Sequence, residues 1–138
     1  MTNLIPQLET EHRRLKSLLD EVKAAGVASE AGRRKLRDAR QVFIDHIARE
    51  DREFYPDFLR AAAGHPDAER MARQFAMEMT AMSKGILDFF EKYRNGGDGL
   101  EYARDFGRLS AALFLRWRKE EDILYARYAA LKTARAAA

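Results

Sequence analysis

The residues with the most chemistry in this chain are His46 and Glu50, inside the stretch FIDHIAREDREFYPDF from Phe43 to Phe58. On a helix, positions four apart leave the same face, so the imidazole and the carboxylate point the same way. Leu36, Ala39 and Phe43 continue that face toward the N-terminus at the 3,4 spacing of a buried seam. Polar groups in line with such a seam must be ion-paired, hydrogen-bonded or bound to metal. Three other seams are interrupted in the same manner. His12 stands among Leu8, Leu15, Leu19 and Val22, with Glu11, Arg13 and Arg14 assigned to the outer faces. Met79 stands among Met71, Phe75, Met82, Ile86, Phe89 and Tyr93, while Arg116 and Glu120 follow Phe106, Leu109 and Leu113 and precede Ile123.

The elements that must position these residues are helices. The spacing predicts one from about Leu4 to Ala24, with Asn3 as its cap and Pro6 in the first turn. A second runs from about Ser29 to Ala63, with Pro56 expected to kink it. A third follows from an Asp67 N-cap to about Arg94, where Asn95-Gly96-Gly97-Asp98-Gly99 ends it. The fourth runs from about Asp98 to Thr133, and the last residues, ARAAA, are expected to fray. No stretch alternates as a strand would. Three short connections between four long helices imply antiparallel neighbours, hence an all-α, up-down-up-down four-helix bundle occupying residues 1–138 as one domain.

Counted from the breaks, His12 and His46 lie roughly 20 and 24 Å from the same end at ~1.5 Å rise per residue. Met79 and Arg116 fall at matching depth, so each helix puts its exceptional residues into one layer. The sequence also echoes itself: HIAREDREFYPDF from His46 aligns without gaps on RWRKEEDILYARY from Arg116. Glu50 falls on Glu120 and Tyr55 on Tyr125, while His46 is replaced by Arg116.

This pattern resembles the hemerythrin-like (HHE cation-binding) domains over nearly the whole chain. The resemblance implies a bundle holding a non-haem di-iron centre, with a His on the first helix, His-x-x-x-Glu on the second, a His on the third and a His–carboxylate pair on the fourth. His12, His46 and Glu50 match the first half of that set, and Glu120 matches the fourth-helix carboxylate. Met79, in Glu78-Met79, and Arg116 occupy the remaining His positions, so by this resemblance the di-iron site is degenerate.

Two iron ions need about five or six nitrogen and oxygen ligands, and the layer offers His12, His46, Glu50 and Glu120. A guanidinium is permanently charged and cannot ligate. On the seam, Arg116 is expected to compete with a cation for Glu50 and Glu120. The leading expectation is therefore a metal-free layer of ion pairs and hydrogen bonds, with no cofactor. The alternatives are an iron site, either a single ion on the four remaining ligands with Arg116 swung aside, or an intact di-iron centre.

The other residues narrow the function classes. There is no cysteine, which removes disulfides, thiolate metal sites and a cysteine nucleophile. The net charge of +3, from 25 basic and 22 acidic residues, does not demand a nucleic-acid or membrane partner. Neither a signal peptide nor an apolar run of spanning length is evident, so a cytoplasmic protein is expected. The basic run Arg33, Arg34, Lys35, Arg37 and Arg40 reads as a solvated helix face, and no nucleic-acid motif accompanies it. Met71, Met77, Met79 and Met82 read as core filler, and Trp117 and Tyr125 as packing that flanks the layer. No nucleophile–base pair or phosphate-binding loop appears, so an enzyme is not expected. The expected function is a regulatory or protein-binding module. The alternative is an iron-dependent sensor or carrier of oxygen, nitric oxide or iron.

Overall fold

The computed structural model describes residues 4–97 and 99–137. The first rod is α1 (Leu4–Ala25). The second is α2 (Glu30–Arg49), a π-helical segment (Glu50–Phe54) and α3 (Tyr55–Ala61). The third is α4 (Pro66–Lys92), and the fourth is α5 (Gly99–Lys119), a second π segment (Glu120–Leu124) and α6 (Tyr125–Ala137). Among the described residues there is no strand. The chain is an all-α four-helix bundle, and its short connections turn neighbouring rods antiparallel.

The turn between the first two rods shows how tightly they are joined. Gly26, at φ +71°, closes α1 with its N–H on the Val22 carbonyl at 2.8 Å, a left-handed cap that glycine alone takes without strain. Ser29 caps α2 by accepting from the Gly32 N–H at 3.0 Å. A side chain on Gly32 would collide with the Gly26 carbonyl, since its Cβ would fall 1.5 Å from that oxygen.

Each rod buries the face its apolar spacing marks out. The buried residues form two clusters. One holds Leu15, Leu19, Phe43, Met79, Phe90 and Trp117. The other, toward the opposite end, holds Leu8, Phe54, Phe58, Leu124 and Tyr128. The polar layer lies between them.

Several local expectations are corrected. Pro56 does not break the second rod; the π segment ends just before it, and Tyr55 N–H bonds the Glu50 carbonyl five residues back. Proline cannot be the whole cause, because the second π segment has the same pattern without one, Tyr125 N–H bonding the Glu120 carbonyl. The wider turn moves the seam on. Ile123, expected in the core, is 47% exposed, and Leu124 and Tyr125 are buried in its place. Met77 is likewise exposed, and Met71 and Met82 are only half-buried. Asp67 is not the cap of α4: His65 holds that position and makes no side-chain cap bond. Asp67 pairs instead with Arg127 at 3.2 Å. α6 runs on to Ala137, into the tail expected to fray, and Arg135 donates to the Arg60 carbonyl; Ala138 lies outside the described residues. Asn3 and Asp98, expected at helix starts, lie outside the described residues.

Candidate metal centre

The layer predicted from helix depth exists. His12, His46 and Glu120 offer ligand atoms that all lie within 4.8 Å of one another. Glu50 stands outside that three-residue group but against His46, its Oε1 2.9 Å from Nε2. All four residues are at most 3% exposed. Charges this deep must be compensated inside the protein.

The two imidazoles face each other Nε2 to Nε2 at 3.2 Å. The other nitrogen of His46, Nδ1, lies 2.7 Å from Glu11 Oε1. A carboxylate only accepts, so Nδ1 carries a hydrogen. With the Glu50 carboxylate 2.9 Å from Nε2 as a counter-charge, His46 is an imidazolium whose second N–H is donated to His12. His12 Nε2 then accepts, which leaves the hydrogen of His12 on Nδ1.

The titration behaviour agrees. Burial works against the charge on His46, but the hydrogen bond to Glu11 and the close Glu50 carboxylate override it and push its pKa up to about 10. His12 is pushed the other way, down to about 2, by burial and then by the charges of His46 and Arg13. Glu120 is raised well above the usual carboxylate range by burial and then by the charge of Glu50.

Arg116 corrects the central expectation drawn from the sequence. Its guanidinium is buried, but it does not sit between Glu50 and Glu120. One Nη donates to Glu78 at 2.9 Å, the other to the Phe75 carbonyl, and the group lies 4.5 Å from the centroid of the Phe75 ring. Only the Nε edge faces the layer, 3.4 Å from Glu120 Oε1. The reason lies on α4. Glu78, the Phe75 carbonyl and the Phe75 face together bind a planar cation at its outer end, and Glu50 offers no such fork. Met79 is buried in the apolar cluster that holds Trp117.

Residues not predicted to touch the ligand set complete the site. Glu11, assigned there to an outer face, holds His46 and also accepts from Arg49 Nε at 2.8 Å. Its signal was present: Leu4, Leu8, Leu15, Leu18 and Val22 form a second 3,4 stripe along α1, and Glu11 falls in it. Tyr125 donates to Glu120 at 2.9 Å, and its ring stacks on His12. Trp117 stacks on the same imidazole, with centroids 5.2 Å apart.

Several buried atoms in the layer have no well-directed partner: both oxygens of Glu50, Oε1 of Glu120, and the Tyr55 hydroxyl. The 2.9 Å contact from His46 to Glu50 is close but out of line for a hydrogen bond. Orphaned carboxylate oxygens beside two converging imidazole nitrogens fit one cation. They do not fit two, because the donors a second ion needs are replaced by Met79 and Arg116. The basic run on α2 is a solvated face: Arg33 and Arg37 both pair with Glu30 at 3.1 Å.

No curated protein and no solved structure matches this chain. The family model of the hemerythrin HHE cation-binding domain matches residues 3–128, which takes in all four rods and every residue of the buried layer. The chain belongs to the hemerythrin HHE cation-binding domain family.

Proposed function

We propose that this bundle is a non-enzymatic regulatory module that takes one metal ion in place of the family's two. The observation that carries the reading is the convergence of His12, His46 and Glu120 within 4.8 Å, beside the unpartnered oxygens of Glu50. Iron is the metal the family implies. When bound, it supplies a redox-active centre to which a small molecule such as oxygen or nitric oxide can respond.

The chain's own residues prepare that site. Glu11 accepts from His46 Nδ1 and so aims Nε2 inward. Tyr125 and the Arg116 Nε edge hold Glu120 from two sides. Once the ion displaces the hydrogen from His46 Nε2 the charge count closes: Glu50 and Glu120 balance a divalent ion, Glu78 balances Arg116, and Glu11 balances Arg49. The apolar clusters on either side keep water out, which strengthens each of these contacts.

A second reading rests on the buried Arg116–Glu120 pair. In it the layer holds no ion, and the bundle acts by binding another protein. Element analysis of protein purified with iron supplied separates the two. About one iron per chain, lost in Glu50→Gln and in Glu120→Gln, is the expected result. A near-zero content overturns the metal reading, and about two ions per chain overturns the one-ion stoichiometry.

A further inference from the structure

A second concavity lies beside the buried layer, between α1 and α5, and meets the layer only through His12. It has a volume of about 280 Å³, at the lower end of small-molecule cavities and suited to a one-ring ligand. Phe114 and Trp117 form its apolar wall, and Arg13, Lys16 and Arg118 its cationic border. His12 reaches it from within, and Glu121 lines it beside His12.

Two observations point to a ligand. His12 is 3% exposed, yet its Nδ1 has no hydrogen-bond partner; Glu121 Oε2, at 3.6 Å, is too far. With Nε2 turned toward His46, that Nδ1 carries a hydrogen, so a buried donor is left unspent on the cavity side. The cations of the border are also underused. Lys16 pairs with Asp20, but Arg13 and Arg118 form no ion pair among the described residues, and Arg13 donates only to Thr10.

We propose that this cavity binds a small planar carboxylate. Its flat body lies along Trp117 and Phe114, and its oxygens take the His12 N–H and the guanidinium groups of Arg13 and Arg118. Glu121 Oε2 lies 3.6 Å from His12 Nδ1, and this part-exposed carboxylate turns aside to solvent when the ligand's oxygens enter. The ligand would touch the back of an imidazole whose front faces the ion-binding layer, so the two sites share His12. Binding itself does not require the metal.

The test uses Trp117, the single tryptophan of the chain. Chelator-treated protein is titrated with benzoate, and with benzylamine as a cation of the same shape, while tryptophan fluorescence is followed. Benzoate is expected to change the emission saturably in the submillimolar range, and benzylamine is expected to have no effect. The double variant Arg13→Gln, Arg118→Gln should weaken benzoate binding at least about tenfold while its melting temperature stays near that of the parent. No saturable change with folded protein, equal binding of benzylamine, or unchanged benzoate affinity in the double variant would each overturn the proposal. Because no metal is present, these outcomes are independent of the iron stoichiometry.

Discussion

Glu50 and Glu120 are equivalent in structure as well as in sequence. Each is the first residue of a five-residue π-helical segment, and each is wholly buried at the same level of the bundle. In both, the residue three positions on, Glu53 or Ile123, is exposed. The fourth and fifth, Phe54 with Tyr55 and Leu124 with Tyr125, are turned into the core. The extra residue in the turn lets a carboxylate and the aromatic cluster beyond it share one face. Short π turns are found mostly inside longer helices and often at functional sites.

Deleting the exposed Arg52 should remove the extra residue, restore α-helical pitch and leave Phe54, Tyr55 and Phe58 on the core face, at a cost of less than about 1 kcal/mol by denaturant unfolding. A loss of more than about 3 kcal/mol would show that the π turn does not simply absorb one extra residue.

Arg116 and its two acids should behave unequally. Arg116→Ala removes a buried cation and should cost about 3 kcal/mol in the metal-free protein, because the layer is left with uncompensated carboxylate charge. Glu78→Ala should cost under ~1 kcal/mol, since Glu78 is about half-exposed and Arg116 keeps the Phe75 carbonyl and Glu120. Equal losses in the two variants would contradict this asymmetry.

Restoring nitrogen donors in the other half of the layer, by Met79→His together with Arg116→His, should raise iron affinity and move the stoichiometry from about one toward two per chain. Metal analysis after reconstitution reads this directly. An unchanged iron content would mean that these positions do not face a second ion.

The metal-free protein should be most stable between about pH 4.5 and 6.5, where the opposite slopes of His12 and Glu120 cancel, with stability falling on both sides. His46 is raised from 6.5 to about 10, so its contribution is complete below 6.5 and is lost as pH climbs through about 10. The raised Glu120 acts in the same direction, its contribution complete below 4.5 and lost as pH rises. His12 is depressed from 6.5 to about 2, so the unfolded chain binds its proton first and stability falls as pH drops below 6.5. Urea unfolding from pH 4 to 10 in chelator checks the shape. A profile that is flat above pH 7 would contradict the paired imidazolium.

Glu11→Gln should lower metal affinity by about 10- to 100-fold without removing a ligand, because the amide is uncharged and its single oxygen can accept from only one of His46 Nδ1 and Arg49 Nε. Competition with a chromophoric chelator measures it. Wild-type affinity in this variant would assign Glu11 to surface pairing alone.

The sequence by itself determined the four rods, their antiparallel order and the layer of His12, His46, Glu50 and Glu120. These follow from the 3.6-residue period and from counting along rigid helices between glycine-marked turns. The family resemblance, too, was legible in the spacing of those residues. Tertiary structure decided where the long side chains went. Arg116 sits on the predicted seam, but the four rotatable bonds of its side chain let its fork leave the layer for Glu78 and Phe75. Glu11 shares its helix with His12, yet it is the approach of α2 that delivers His46 to it. The π turns were also settled only in three dimensions, because their wider pitch answers to the packing of Phe54, Tyr55, Leu124 and Tyr125 between rods. Backbone period is a local property; the direction of a charged side chain is set by whichever neighbouring rod offers the better partner.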